Sequence, residues 1–258
     1  MSNISFLLIF MFLLTPACAQ AAPPDWQIQK SQHFIIYYQD VPPGFTDKLI
    51  YKAEDYYNSI IDELGYRRFD FWSWDNRARI YLYKDAEGFH QATQRASWTA
   101  GVVSIGNREI KTFVGQDNFF DTILPHEMTH IIFREFVGNK AVLPLWIEEG
   151  VACSQEKSSL GLYMRLARKF IGEDKYIKLE EFSALSNAGQ ADPSLFYSES
   201  ASLIIFLIRS QGRERFWDFS RSLRDDRDWE KALLRTYNFN SLQELENAWK
   251  NFVLKQAG

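Results

Sequence analysis

Two of the chain's four histidines lie four positions apart, in the pentapeptide His126-Glu127-Met128-Thr129-His130. On a helix this spacing puts both imidazoles on one face, where they can bind a single zinc ion. Glu127 lies between them and is placed to take a proton from a zinc-bound water. Glu149 follows on a second predicted helix and can supply a third ligand. Two neutral nitrogens, one carboxylate and one position left to water form the donor set of a hydrolytic zinc site.

The residues after the pentapeptide exclude one subtype of this motif. The elongated metzincin form would continue with glycine at position 133 and histidine at position 136, and phenylalanine stands at both. The third ligand must therefore come from elsewhere, and residues 143–152, Leu-Pro-Leu-Trp-Ile-Glu-Glu-Gly-Val-Ala, offer it. A bare HExxH can arise by chance on a charged helix face, but a second segment at a suitable distance makes chance a poor explanation.

The two segments together resemble the gluzincin pattern, in which HExxH is followed after eighteen residues by a glutamate within Trp-x-x-Glu-Gly-x-Ala. This pattern is similar to that of the peptidase MA-like families, relatives of thermolysin and of the membrane-alanyl aminopeptidases. The resemblance implies a zinc-dependent peptidase acting on peptides or proteins, with Zn²⁺ held by His126, His130 and Glu149. Glu148 is then only the neighbour of a ligand. Glu127 is the general base, which passes its proton on to the leaving amine.

A tyrosine downstream is a candidate second catalytic group. Residues 195–204 resemble a helix that follows the zinc ligands in these families and starts with a tyrosine near the cleft. The resemblance implies that Tyr197 donates a hydrogen bond to the oxyanion formed on the attacked carbonyl. The alternative is a core tyrosine at a helix start, and the sequence leaves both open.

Cys153 lies one helical turn after Glu149. Its predicted role is that of a small buried hydrophobic residue, with a fourth metal ligand as the alternative. Some thermolysin-like enzymes carry a carboxylate at this offset that supports the metal ligands. A cysteine there favours the aminopeptidase-like branch, although the sequence shows no motif that would bind the N-terminal amine of a substrate.

Residues 1–19 are predicted to be a signal peptide. Residues 4–14 form an almost wholly apolar run that is too short to span a bilayer well. Ala17-Cys18-Ala19 then fits the small-x-small rule for cleavage before Gln20. The alternatives are a lipoprotein acylated on Cys18 and an uncleaved anchor, and only these two would associate the protein with a membrane. We expect export to the periplasm or the extracellular space.

Hydrophobic periodicity predicts an α+β fold. Strands are predicted over residues 31–40 and 77–83, with a hairpin of strands 99–105 and 108–114 around Gly106-Asn107. Helices are predicted over residues 45–64 and 86–93, then over the motif helix, with Asp121 as its N-cap and Gly138 as its stop. Pro144 is expected to open the helix that carries Glu149. The remaining predicted helices are 162–171, 178–185, 198–210, 213–223, 229–237 and 242–254.

The resemblance implies a thermolysin-like zincin: an N-terminal mixed sheet with helices, the metal helix, and a C-terminal helical lobe, with zinc at the base of a cleft between the lobes. The chain then divides into the signal peptide, a catalytic lobe over residues 20–158 and a helical lobe over residues 159–258. By the same resemblance the hairpin is expected to rim the cleft, where an extended peptide could add to its edge, and the alternative is an ordinary hairpin in a closed sheet.

The net charge of the chain argues against nucleic acid as a partner. The net charge is −4 and no basic block is present, so nucleic-acid binding through a basic surface is a poor hypothesis. The predicted function is that of a secreted or periplasmic zinc metallopeptidase. The alternative is a catalytically silent zinc-bearing protein that binds peptides or acts as a scaffold. Retention of Glu127 argues against the alternative.

Overall fold

The computed structural model describes residues 26–66, 72–95 and 99–255, so the predicted signal peptide and its cleavage site lie outside the described residues. Within these ranges the first half of the chain forms a mixed sheet of five strands in the order β1-β2-β3-β5-β4. β2, β3 and β5 run parallel, while β1 and β4 are antiparallel to their neighbours. The strands are β1 Gln27–Lys30, β2 Phe34–Tyr38, β3 Ala78–Tyr83, β4 Gly101–Ser104 and β5 Glu109–Phe113.

One face of the sheet is buried because apolar and polar residues alternate along the strands. On β3, Ala78, Ile80 and Leu82 are fully buried, while the residues between them are partly exposed. Helix α1 (Phe45–Glu63) connects β2 to β3 and contributes its own apolar stripe to the core, and α2 (Ala86–Thr93) follows β3. The periodicity predicted both helices to within one residue.

The hairpin of β4 and β5 provides one of the two edge strands of the described sheet, β4. It turns over residues 105–108, with the predicted Gly106-Asn107 at the centre. The residue with a left-handed backbone is Arg108, at φ 52°, rather than either of these two. The hydroxyl of Thr112 on β5 donates to the carbonyl of Ala100 at 3.0 Å, which fixes the start of β4. Among the described strands, β4 is paired on one side only.

The second half of the described chain is helical. Helix α7 is its buried centre and packs against both α4 and α5. None of the helices in the described ranges combines the length and apolarity that crossing a membrane would require. The helices are α3 Leu124–Val137, α4 Leu145–Cys153, α5 Leu160–Gly172, α6 Leu179–Ser183, α7 Pro193–Gln211, α8 Arg213–Asp226, α9 Trp229–Tyr237 and α10 Leu242–Lys255.

Among the strands and helices, the largest differences from the predicted elements are β1 and the start of α7. β1 was not predicted, because its sequence Gln-Ile-Gln-Lys lies at a sheet edge and carries no alternation that burial would impose. Helix α7 begins five residues before the predicted start at residue 198. Asp192 caps it by accepting a hydrogen bond from the backbone N–H of Leu195, and Pro193 occupies its first turn. The α+β class is confirmed, and the division into two lobes at residue 158 stays a prediction.

Candidate metal centre

Helix α3 carries both histidines in its first half. A single π turn, Phe119–Ile123, leads directly into the helix, and Pro125 lies in the first turn. The prediction that Asp121 caps this helix is wrong. Asp121 lies within the π turn, and its carboxylate accepts hydrogen bonds from Lys52 and Tyr56 on α1. The π turn therefore takes the place of a side-chain cap, which sequence periodicity could not indicate.

Glu149 on α4 reaches the two histidines of α3. Its Oε2 lies 3.7 Å from His126 Nε2, and its Oε1 lies 3.9 Å from His130 Nε2. The two Nε2 atoms are 3.1 Å apart. All three side chains are almost completely buried. The structure thus brings the three predicted ligands together, with their donor atoms facing one another.

A glycine next to Glu149 allows α4 to lie where it does. A Cβ atom on Gly150 would lie 2.4 Å from the carbonyl oxygen of Ser200 and 2.8 Å from the side chain of Ile204, both on α7. Real Cβ atoms do not approach other atoms so closely, so any other residue would force α4 away from α7. This close packing sets the distance of Glu149 from the histidines.

An ion pair distinguishes Glu148 from Glu149. Arg134, in the last turn of α3, donates from Nε and Nη2 to the two carboxylate oxygens of Glu148. Its Nη1 donates to the carbonyl of Ala141 at 2.8 Å. This two-point contact ties α3 to α4 and holds Glu148 on the arginine. The carboxylate left for the histidines is that of Glu149.

Donor distances show which cluster fits a metal. Among the described residues, two groups of three donors each lie within 4.8 Å, and both include His126. In the group with His130 and Glu149, the donor atoms lie 3.1–3.9 Å from one another. Two ligand atoms bound to the same tetrahedral zinc ion are expected to lie about 3.3 Å apart, which falls within this range. In the group with Cys153 and Glu156, His126 Nδ1 lies 2.7 Å from Glu156 Oε1. That is a hydrogen-bond distance, so the second group is a hydrogen-bonded network rather than a metal site.

The charges at the site also favour a cation. In the described part of the chain, both oxygens of Glu149 and both oxygens of Glu127 are buried without a hydrogen-bond partner. Burial raises the pKa of Glu149 to about 8; His126 opposes this rise, and neighbouring carboxylates add to it. A buried carboxylate without hydrogen bonds is costly. A divalent cation between the histidines and Glu149 would offset that cost, so the residues present fit a zinc ion.

Glu127 lies beside both the candidate metal ligands and the sheet edge. It is fully buried on α3, and burial raises the pKa of its carboxyl to about 7, against the opposing charge of His126. A Cβ atom on Gly101 of β4 would lie only 3.2 Å from Glu127 Oε1. The absence of a side chain there lets the edge strand run alongside this carboxylate. The sequence indicated Glu127 but not its contact with Gly101.

Tyr197 lies in the second turn of α7 and is almost completely buried. Burial raises the pKa of its phenol far above the usual value, and the charges of Glu149 and Glu127 contribute to the rise. These contributions mean that the phenol shares the electrostatic environment of the candidate metal centre. Its ring packs edge-on against Phe196 at 5.2 Å. Tyr197 therefore has the position of a core residue as well as proximity to the site, and its catalytic role stays a prediction.

The sequence reasoning missed Glu156. This residue follows α4, is fully buried, and hydrogen-bonds His126 from the side opposite the predicted ligands. A buried carboxylate therefore does contact one of the candidate ligands, although not at the offset of Cys153, and the preference for the aminopeptidase-like branch stays a prediction. The only sequence signal was a glutamate seven positions after Glu149, and α4 ends before reaching it.

Cys153 is fully buried, as expected of a small hydrophobic residue. Its Sγ lies 4.0 Å from His126 Nδ1, whereas His130 and Glu149 face His126 Nε2. The thiol is thus on the wrong side of the imidazole ring to act as a fourth ligand with them.

Comparison with known proteins agrees with this arrangement. A family model described as the peptidase MA superfamily matches residues 74–255, which span the sheet edge, the candidate metal centre and the C-terminal helices. The chain belongs to this superfamily, so its class is that of a metallopeptidase. A search of curated proteins finds no match.

We predict that the wild-type protein binds about one Zn²⁺ per chain, the stoichiometry of a three-ligand site. Glu149→Ala should lose most of this metal, because it removes the one carboxylate that faces both histidines in the described part of the chain. Glu148→Gln should keep it, since the amide can still accept a hydrogen bond from Arg134. Metal content after dialysis, measured by atomic emission, tests both. Loss of metal in Glu148→Gln alone would show that the third ligand is misassigned by one residue.

Proposed function

We propose that this protein is an exported zinc-dependent peptidase of the gluzincin type, with a thermolysin-like arrangement of its lobes. The observation that carries the proposal is the meeting of His126, His130 and Glu149 beside the carboxylate of Glu127, which no described residue hydrogen-bonds. Family membership supports peptide bonds as the bonds hydrolysed.

Each residue at the site has a distinct task in this proposal. A zinc ion held by His126, His130 and Glu149 would lower the pKa of a bound water and polarise the substrate carbonyl. Glu127 accepts the proton released as the water attacks and delivers it to the leaving amine. A pKa near 7 suits this task, because the carboxyl can then both take up and release a proton near neutral pH.

Tyr197 is proposed as the second donor to the oxyanion. The charge that develops on the attacked oxygen is stabilised by donors already in place, and a phenol kept protonated by burial is such a donor. The raised pKa of Tyr197 supports this role because its hydroxyl keeps its proton throughout the working pH range.

The edge strand β4 is proposed to hold the substrate. Its backbone groups on the side away from β5 can pair with an extended peptide. Because β4 passes Glu127 at Gly101, a peptide added there would present its carbonyl groups close to the general base. This placement supports hydrolysis of an extended chain.

The alternative function is zinc-dependent peptide binding without turnover. It shares the ligands and the edge strand with the peptidase and differs only in catalytic competence. The buried carboxylate of Glu127, without a hydrogen bond from the residues that the structure describes, favours the peptidase, because a binding protein has no use for a carboxylate held at such a cost.

Glu127→Gln should separate the two functions. The amide has nearly the same size but cannot take up the proton, so peptide cleavage should fall by ~10²- to 10⁴-fold. Zinc content and peptide binding should be retained. Cleavage of a fluorogenic peptide library, with and without chelator, is the measurement.

Two results would count against the enzyme. Equal residual cleavage by the wild type and Glu127→Gln would identify a contaminating protease. Capture of peptides by the zinc-loaded wild type without cleavage would establish the binding protein instead.

Tyr197→Phe should lower kcat by ~10²-fold, as expected for loss of one oxyanion donor, and leave zinc content unchanged. The matched control is Tyr237→Phe, which removes the hydroxyl of an equally buried tyrosine on α9. The control should cleave peptides at the wild-type rate. Wild-type turnover in Tyr197→Phe would return this tyrosine to a packing role.

Export is part of the proposal and rests on the apolar run and Ala17-Cys18-Ala19. The mature protein recovered from the periplasm or the medium should begin at Gln20, as measured by intact-mass spectrometry. A diacylglyceryl adduct on Cys18 would replace this with a membrane-anchored lipoprotein, and an unprocessed chain would indicate an uncleaved anchor.

A further inference from the structure

The sheet has a second face, opposite to the one on which α1 and α3 pack. The face under these helices carries Ile36, Ile80 and Ile110, which pair across β2, β3 and β5 and are fully buried. The strand register brings another set of large side chains together on the opposite, partly exposed side. We call this side the outer face; its apolar and aromatic residues include Ile28, Ile35, Tyr37, Tyr81, Tyr83 and Val102.

The outer face is more apolar than a solvated sheet face needs to be. Parallel strands, such as β2, β3 and β5, ordinarily have both of their faces covered. Phe89 of α2 packs against Tyr83 at one end of the outer face. At the other strands, Ile28 is 51% exposed, and Tyr37 and Tyr81 are partly exposed. Apolar side chains grouped in this way on a surface mark a site of interaction.

The arrangement of the rings limits what can bind there. Tyr37 and Tyr81 stack on each other with their centroids 4.8 Å apart, and Lys111 Nζ lies 5.5 Å from the centroid of Tyr81. Because β2 and β5 flank β3 on opposite sides, both flat sides of the Tyr81 ring are occupied. A planar ligand that binds by stacking needs a flat side, so these rings do not suit one. They suit a partner that accepts ring edges and hydroxyl groups.

Cationic side chains accompany these rings. On the described strands, Lys30, Arg79 and Lys111 share the outer face with one acidic residue, Glu109, although the net charge of the chain is −4. The outer face is therefore positive in an acidic protein, which favours an anionic partner. Tyrosine and tryptophan beside lysine and arginine are typical of surfaces that lie at a membrane–water boundary. Lysine and arginine there attract anionic lipid headgroups.

The N-terminal chain joins the fold at the same face. Trp26 is the first described residue, and its ring packs edge-on against Tyr81 and Tyr83 at 5.8 and 5.0 Å. Residues 15–25 separate it from the apolar run at residues 4–14, and a chain of this length spans at most about 40 Å. Insertion of that run into a bilayer, as expected during export, would bring the outer face within reach of lipid. This connection favours a membrane over an acidic protein as the partner.

We propose that the outer face docks the protein onto the surface of a membrane that contains anionic phospholipids. The aromatic and apolar side chains enter the headgroup region, and the lysines lie beside lipid phosphates. The association is peripheral, so it needs neither acylation of Cys18 nor a retained apolar run. Helix α3 approaches the sheet from the other side, at Gly101, so the docked protein keeps its candidate metal centre turned away from the lipid.

Vesicle binding tests the role of the charges. A chain beginning at Gln20, which contains every described residue, should sediment with vesicles of phosphatidylglycerol and phosphatidylcholine, and much less with phosphatidylcholine alone. Lys30→Gln/Lys111→Gln should bind the anionic vesicles ~20- to 30-fold more weakly, because each lysine near such a surface contributes a factor of ~5. The matched control is Lys140→Gln/Lys178→Gln, which removes two exposed lysines outside the sheet and should bind like the wild type.

A fluorescent label tests which side of the protein meets the lipid. Ile28 on the outer face and Tyr51 on α1 are both exposed, at 51% and 71%. Cys153 is buried and a chain beginning at Gln20 lacks Cys18, so Ile28→Cys and Tyr51→Cys each add one accessible thiol. An environment-sensitive dye at position 28 should shift to the blue on anionic vesicles, and the same dye at position 51 should not.

Several results would overturn the proposal. Equal binding to neutral and anionic vesicles, wild-type binding by Lys30→Gln/Lys111→Gln, or a blue shift at position 51 alone would each do so. A shift at position 28 that follows protein concentration without vesicles would identify a second copy of the chain as the partner instead. Binding of poly-glutamate but of no vesicle would identify an acidic protein. These measurements involve neither zinc nor peptide cleavage, so failure of the proposed function would leave them unchanged.

Discussion

The packing of α4 between α3 and α7 is the constraint on which the candidate centre depends. Gly150 lets α4 lie against the backbone of α7, and the Arg134–Glu148 ion pair holds its other side to α3. These contacts place Glu149 where its carboxylate faces both histidines. The candidate third ligand is thus positioned by helix packing on two sides, and no hydrogen bond from the described residues holds its carboxylate.

Four buried glutamates surround this packing, and their neighbours give each one a different task. Glu148 is neutralised by Arg134, and Glu156 is hydrogen-bonded by His126 and Tyr163. Glu149 and Glu127 have no hydrogen-bond partner among the described residues. Carboxylates that are satisfied by protein groups support the site, and carboxylates left unsatisfied are available to an ion or to a reacting proton. The hydrogen-bond partners of these four glutamates therefore distinguish their roles, which their shared residue type cannot do.

The fold was predicted best where long periodic segments carry it. Helices α1, α2 and α9 match their predicted ranges to within one residue, because each has a regular apolar face. The errors lie at a sheet edge and at the start of a helix. β1 has no pattern to read, and the entry to α3 is a π turn instead of a cap at Asp121. At such positions local sequence preferences are weak and tertiary contacts decide.

The sequence alone determined the residues of the candidate centre that obey a helical repeat. His126 and His130 share a face because they are four positions apart, and Glu127 is then the carboxylate beside them. Only the tertiary structure decided which groups support them. Glu156 reaches His126 through a turn beyond the end of α4, and Gly101 reaches Glu127 from a strand that precedes it in the chain. Contacts of this kind depend on how separate elements pack, and no periodicity within one element encodes them.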